Sequence, residues 1–245
     1  AMKFRFNAMQ LFRAGIASVA LALTFTPSAN AQRAADVAEL KTKAEAGDAK
    51  SQLALGLRYY NGQGVLQHYA EAAKWFQKAA LSGDATAQKT LALVYLNGEG
   101  VEQDSGQAAN WFTRAAVQGD VPSMQNLGVM HARGVGVAKD AGEAIKWFTK
   151  AAGKGDIVSQ RNLGVLYAQG AGVRQDFTEA AKWFRMAADK GDVSSQTELG
   201  VLYANGLGVK QDAKVATDWF KKAAEKGEVR AQMYLGILLV RNPPE

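Results

Sequence analysis

Along this chain the apolar positions return in the same register every 36 residues. The pair Trp75-Phe76 recurs as Trp111-Phe112, Trp147-Phe148, Trp183-Phe184 and Trp219-Phe220. Around each pair the spacing is helical. Ala72, Trp75, Phe76, Ala79 and Ala80 fall at i, i+3/4 and i+7/8, which places them on one face. Glu71, Lys74 and Lys78 take the other face, as do Glu143, Lys146 and Lys150, and read as solvated charges. Upstream of each pair a second stripe has the same period: Gln52, Leu55, Gly56 and Tyr59. Its copies are Leu91-Ala92 with Tyr95, Leu127-Gly128 with His131, Leu163-Gly164 with Tyr167, and Leu199-Gly200 with Tyr203. The small residue beside each leucine predicts a second helix in close approach. The pattern therefore predicts an all-α chain of paired helices, stacked repeat on repeat as a solenoid.

Polar punctuation agrees with these stripes. Gly-Asp opens each unit at 47–48, 83–84, 119–120, 155–156 and 191–192, where the carboxylate suits a helix N-cap. Gly-x-Gly-Val follows the first helix at 62–65, 98–101, 134–137, 170–173 and 206–209, and two glycines there can end a helix and reverse the chain. A phosphate-binding loop would need a preceding strand and a further glycine, and neither is present. The second helices start near Asp104, Asp140, Asp176 and Asp212, with His68 in that place in the first repeat. Five full repeats result, at 48–83, 84–119, 120–155, 156–191 and 192–227. A degenerate half repeat at 32–47 precedes them, and a truncated sixth with a tail occupies 228–245.

Residues 1–31 read differently. Lys3, Arg5 and Arg13 precede an apolar, uncharged run from Ala14 to Phe25, then Pro27 and Ser28-Ala29-Asn30-Ala31. This is the pattern of a secretory signal peptide cut after Ala31. The run is shorter than the roughly 18 residues that a membrane span needs. The expectation is a periplasmic or secreted protein with no stable membrane insertion after cleavage. The whole chain carries a net charge of +6. Without its leader it holds 26 basic and 23 acidic residues, a balance of +3 that is too mild and dispersed for a nucleic-acid partner. There is no cysteine, so core packing alone must hold the fold in an oxidising compartment.

Taken together one unit reads A-Q-x-x-L-G-x-x-Y-x-x-G-x-G-V-x-x-D-x-x-x-A-x-K-W-F-x-K-A-A-x-x-G-D. Over residues 35–241 this resembles the Sel1-like repeat, a relative of the tetratricopeptide repeat. The resemblance implies antiparallel helix pairs in a right-handed α/α superhelix and a role as adaptor or regulator that holds protein partners. It also implies, for exported bacterial members, roles in envelope signalling, host interaction and surface polysaccharide. A cysteine-rich branch is associated with β-lactam binding, and this chain departs from it by having no cysteine.

If Gln52, Leu55, Gly56 and Tyr59 pack inward, positions 50, 53, 57, 60 and 61 face a groove lined by the first helices. The column at 57 is aliphatic: Leu57, Leu93, Val129, Val165, Val201 and Ile237. Its flanks are polar and varied. Lys89, Gln125, Arg161 and Thr197 form one line, and Asn61, Asn97, Arg133, Gln169 and Asn205 the other. An apolar floor with hydrogen-bonding edges suits an extended or helical peptide. The expected function is a non-enzymatic scaffold that holds a segment of a protein partner, with Lys89, Gln125, Arg161, Asn61, Asn97, Arg133, Gln169 and Asn205 as the partner-binding residues. The last helix, with Ile237, Leu238, Leu239 and Val240, lacks a covering helix, and a homodimer through it is a second expectation.

Chemistry has little footing in this pattern. The two histidines, His68 and His131, stand in different repeats, and with no cysteine they make a closed zinc site improbable. No Ser-x-x-Lys, Gly-x-Ser-x-Gly or His-Glu-x-x-His occurs. No catalytic residue, metal or cofactor is expected. Two other readings stand beside the scaffold: a cell-wall or β-lactam-acting enzyme or ligand binder by family analogy, and an immunity-type inhibitor of a toxin.

Overall fold

The computed structural model describes residues 27–241, which form twelve α-helices and no strand. The chain divides into two compact units, with the division inside the sixth helix. One unit takes the residues up to Ser123 together with Val135–Val137, and the other takes Met124–Gly134 together with Ala138 onward. The leader assigned from sequence lies almost wholly in residues 1–26, outside the described residues.

The first unit contains α1 (Pro27–Glu45), α2 (Ala49–Asn61), α3 (Tyr69–Leu81), α4 (Ala85–Asn97), α5 (Ser105–Val117) and the start of α6 (Val121–Arg133). The second holds the rest of α6, then α7 (Ala141–Gly153), α8 (Ile157–Gln169), α9 (Phe177–Asp189), α10 (Val193–Asn205), α11 (Ala213–Ala224) and α12 (Val229–Arg241). From α1 to α5 and from α7 to α12, each helix packs on the next. The architecture is a helical solenoid whose helix pairs follow the period of the sequence. No helix of the described residues is long and apolar enough to cross a membrane.

The caps form as the aspartates predict. Asp48 accepts the backbone N–H of Ser51 at 2.8 Å and Asp156 that of Ser159 at 2.7 Å. Asp104 and Asp140 do the same for the second helices, and His68 accepts the Glu71 N–H on Nδ1 at 3.1 Å. Each satisfies one orphan donor and stabilises its helix by about 1 kcal/mol. The second glycine of the turn at Gly100, Gly136 and Gly208 has a further reason to be glycine. A Cβ on Gly208, at φ 66°, would lie 2.1 Å from the carbonyl carbon of Phe177, at the start of the preceding repeat's second helix. These three turns are thus pressed directly onto the backbone of the repeat before them.

A phenylalanine sits at the core of each repeat. Phe76, Phe112, Phe148, Phe184 and Phe220 are at most 2% exposed. Opposite them, a Cβ added to Gly56, Gly128, Gly164 or Gly200 would sit 2.5–2.6 Å from a ring carbon of the phenylalanine in the same repeat. The glycine is therefore the seat of the ring, which explains why the two residues recur together. Ala92 takes that place in the second repeat and is wholly buried. Trp75, Trp111 and Trp219 are buried as well, while Trp147 and Trp183 keep a partly exposed edge.

Some charges read as merely solvated have a second role. The Nζ atoms of Lys78, Lys150 and Lys222 lie 4.0, 4.2 and 4.1 Å from the ring centroids of Trp75, Trp147 and Trp219, and the Arg114 guanidinium lies 4.7 Å from that of Trp111. In these four repeats a cation one turn after the tryptophan lies over its ring, a contact of roughly 0.5–1 kcal/mol at an exposed site. The fourth repeat has Met186 in that position and carries no such cation.

At the front, α1 extends further than the half repeat drawn at 32–47, running from Pro27 through Ala31. Its Val37 and Ala44 bury themselves against Leu55 and Trp75, with Leu40 packed beside them. Its outer side carries exposed Asp36, Glu39 and Lys43, with Lys43 bonded to Glu39 at 2.7 Å.

Candidate partner-binding faces of the first helices

The first helices of the repeats are α2, α4, α6, α8 and α10, and their recurring residues are committed to packing. Leu55, Leu91, Leu127, Leu163 and Leu199 are at most 1% exposed. The glutamine that follows a serine or alanine in the first turn reaches backward. Gln52, Gln88, Gln160 and Gln196 donate Nε2 to the carbonyls of Ala44, Ala80, Ala152 and Ala188, at 3.0–3.2 Å. These carbonyls end the preceding helix and also accept the backbone N–H of Gly47, Gly83, Gly155 and Gly191, so the glutamine adds a second bond there and fixes the next repeat against that end. The sequence pattern marked Gln52 as a packing position without revealing this bond. In the third repeat Met124 stands in the column and offers no donor.

What varies from repeat to repeat lies on the remaining face. In the first unit Leu57 and Leu93 are partly buried, with Asn61 partly buried and Asn97 exposed at the ends of their helices. In the second unit Val129 and Val201 are buried, Val165 is partly buried and Ile237 is exposed. Gln125, Arg133 and Gln169 are partly buried beside that column, and Asn205 is exposed. Burial lowers the Arg133 guanidinium from its ordinary pKa. Asn205 donates Nδ2 to the Val201 carbonyl at 2.8 Å, a local bond along its own helix.

Two of the predicted contacts prove to be joints between repeats. Arg161 donates Nη1 to Asp192 at 2.7 Å, and Lys89 approaches Asp120 at 3.5 Å. Each basic group thus neutralises the aspartate that caps the first helix of the next repeat. Thr197, in the same line, is fully buried and bonded to the Val193 carbonyl, so it faces no groove.

The structure also shows a polar column that the sequence reading passed over. It runs one turn before the aliphatic one, through Thr90, Asn162 and Glu198, which are 7%, 2% and 8% exposed. Among the described residues the Asn162 Nδ2 and Glu198 Oε2 atoms are buried and have no hydrogen-bond partner. Glu198 accepts Arg230 Nη1 on its other oxygen at 2.8 Å. Burial raises the Glu198 carboxyl above the ordinary carboxylate range, outweighing the attraction of Arg230. The signal was in the sequence, since Ala54, Thr90, Asn126, Asn162, Glu198 and Tyr234 occupy one register. Nothing in their spacing told burial from exposure.

Near the turn of the first repeat the Tyr60 hydroxyl donates to Glu99 at 2.7 Å, from one repeat to the next. Burial first, and then this bond, raises the Tyr60 pKa. His131 occupies the tyrosine column, partly buried, and its backbone carbonyl accepts the Asp140 N–H at 2.9 Å as Tyr59, Tyr95, Tyr167 and Tyr203 do for their second helices. Among the described residues no group of three or more His, Cys, Asp or Glu is placed to hold a metal ion.

Comparison with known proteins places this geometry. The Sel1 repeat model matches five times in succession, at residues 49–84, 85–120, 121–156, 157–192 and 193–228, one position later than the frame drawn from Gly-Asp. Among solved structures, the protective antigen c5321 of uropathogenic Escherichia coli strains, which displays an SLR fold, is 41% identical with a TM-score of 0.76. The match covers 81% of this chain and 43% of that one, so the chain spans under half of the antigen's length. A Sel1 repeat protein from Oxalobacter formigenes is 34% identical with a TM-score of 0.67, covering 84% of this chain and 89% of the other. An immunity protein from Pseudomonas aeruginosa aligns at 17% identity with a TM-score of 0.45, covering 91% of this chain and 90% of the other, too distant for its role to bear on this one. No curated protein matches the chain. With five consecutive repeats matched and the helix pairs built as that repeat requires, the chain belongs to the Sel1 repeat family.

Proposed function

We propose that this protein is a non-enzymatic binding scaffold that holds a segment of another protein along the varied face of its first helices. One observation carries the reading. The leucine and its small neighbour are buried in all five first helices, while the line at the ends of those helices changes between asparagine, arginine and glutamine and keeps some exposure. Leu55, Gly56 and their copies hold the stack, while beside an aliphatic column Asn61 in one unit and Gln125 and Gln169 in the other are partly buried, and Asn97 and Asn205 are exposed. An array with a constant interior and a varied face gives selective recognition without altering the fold. Lys89 and Arg161 belong to the joints between repeats, so they are weaker candidates than the residues at the helix ends. The signal-peptide pattern of residues 1–31 supports export, which would place the partner in the periplasm or outside the cell.

The test uses a photocrosslinking residue at position 97 or 169, in the native cells, with the same residue at exposed position 146 as control. The expected result is one protein product from 97 and 169, absent from 146 and several-fold weaker when Val165→Glu is added to the 169 variant. Equal products from all three positions, or none from 97 and 169, would overturn the reading. The same purified protein reports export: a mature terminus at Gln32 supports it, and an intact leader opposes it.

A further inference from the structure

In the second unit the varied faces of α6, α8 and α10 share one layout. Asn162, Val165 and Gln169 stand at i, i+3 and i+7, and so form one stripe with a valine between two polar residues. Asn126, Val129 and Arg133 repeat it in α6, and Glu198, Val201 and Asn205 in α10. The valines offer little surface, since Val129 and Val201 are 3% and 2% exposed. The residue before the valine is the unusual one. Asn162 is 2% exposed, and among the described residues its Nδ2 has no hydrogen-bond partner. Glu198 is 8% exposed, and its Oε2 has none either. Yet the stripe that begins at Asn162 opens outward, because Val165 and Gln169 are partly exposed. The first unit is built otherwise. The same register there holds Ala54 and Thr90, and Thr90 spends its hydroxyl on the Thr86 carbonyl at 2.8 Å. A buried donor or acceptor left unpaired destabilises a fold, and native chains keep few of them.

We propose that this face of the second unit holds the main chain of an extended partner segment, with the Asn162 amide donating to a backbone carbonyl and Glu198 Oε2 accepting a backbone N–H. This rests on the scaffold role proposed above and gives the chemistry of what is held. A carboxamide carries both the donor and the acceptor of a peptide group, so it pairs with main chain whatever the sequence. The face repeats that group, with Asn126 one repeat before Asn162 and Asn205 beyond Val201. Asn205 is exposed and uses one of its two N–H groups on the Val201 carbonyl. A helical segment cannot answer such groups, because its own N–H and C=O are bonded to one another. An extended segment keeps them open along its length and is held through them, as a strand added to a sheet edge is. The sunken valines leave no apolar pocket to read side chains, so main-chain bonds carry the contact.

The probe is a labelled, uncharged peptide of about ten residues that alternates threonine and serine, roughly 33 Å long when extended. A second form is N-methylated at alternate residues, which removes those N–H donors and leaves the side chains as they were. Titrated with the full protein, the plain form should show saturable anisotropy, and the methylated form should bind about tenfold more weakly. Asn162→Leu should weaken the plain probe about fivefold. It should also leave the melting temperature unchanged or higher, since it removes an unpaired buried donor. Asn126→Leu, at a partly buried position, should weaken the probe while leaving Asn162 in place. No saturable binding, equal binding of the two forms, or tighter binding of a stapled alanine–glutamine helix would overturn the proposal. So would a melting temperature that falls in Asn162→Leu, since the amide would then be a packing contact. The photocrosslinks at 97 and 169 keep the two readings apart. A single protein product from them, with a probe indifferent to N-methylation, leaves the scaffold standing and removes the main-chain contact.

Discussion

Gly164 and Gly236 hold the same place in the repeat, each after a leucine and in the middle of a first helix, yet their surroundings are opposite. Gly164 lies under the Phe184 ring, where a Cβ would come within 2.6 Å of two ring carbons, and among the described residues a Cβ on Gly236 would meet nothing within 4 Å. The local sequence is alike; what differs is whether a second helix has arrived. A repeat protein states the same interaction many times, so a copy whose glycine meets no ring among the described residues shows what the ring contributes to the others.

The sharpest way to break this comparison is to empty an interior seat. Phe184→Ala removes a fully buried ring from the middle of the second unit, and its neighbours are held by α8 and α10 and cannot collapse freely onto the space. The expected loss is about 3–5 kcal/mol, measured by urea unfolding, as for other buried aromatic truncations. A loss below about 1 kcal/mol would mean that the ring is not the organising contact. The interior seat would then be no different from the empty one on α12.

A smaller effect separates the two glycines directly, because the same substitution should change sign between them. Alanine is favoured over glycine in a helix interior by about 1 kcal/mol. At Gly236 only that gain operates, so Gly236→Ala should raise stability by up to about 1 kcal/mol. At Gly164 the new methyl must displace Phe184, and overpacking of this kind costs about 1–3 kcal/mol, so the net should be a loss. Thermal melts of the two variants beside the parent decide it, and a gain at both sites would mean that the ring yields freely. The second repeat shows that a methyl can be built in, since Ala92 is buried in the equivalent place. There the surrounding residues are its own, and Gly164→Ala brings none of them.

The fold was legible because its causes are local or strictly periodic. Asp156 caps the helix it precedes, and Phe184 lies on Gly164 as Phe148 lies on Gly128. The faces were legible only in part, since their roles are set by residues one repeat away. Arg161 and Lys89 look like free surface charges until the caps Asp192 and Asp120 of the following repeats come up beside them. Gln160 reads as a packing position, and only the folded chain shows it reaching the Ala152 carbonyl. Lys150 reads as solvated because the Trp147 ring beneath it leaves no mark on the spacing. Glu198 was missed for a related reason: a carboxylate between a threonine and a leucine looks exposed unless one knows what α12 lays over it.

Glu198 gives the smallest expected effect and a distinct sign. Its Oε1 accepts Arg230 while its Oε2 is buried without a partner, and burial raises the carboxyl above its ordinary value of 4.5. Between the unfolded and the raised native pKa the native state keeps a proton that the unfolded chain has released. By linkage the contribution of this group is therefore complete below the ordinary value and is lost as pH rises through the native one. The cap Asp140 runs the other way. The Glu143 backbone N–H holds its carboxyl below the ordinary 3.8, so its contribution is present above that value and fades as pH falls. Glu198→Gln keeps an acceptor for Arg230 and removes the titration. Melting temperatures of parent and variant, taken between about pH 4 and pH 7, should diverge in the variant's favour as pH rises. Parallel curves would mean that the Glu198 carboxyl titrates alike in the folded and the unfolded chain, with Arg230 offsetting burial at the junction beneath α12.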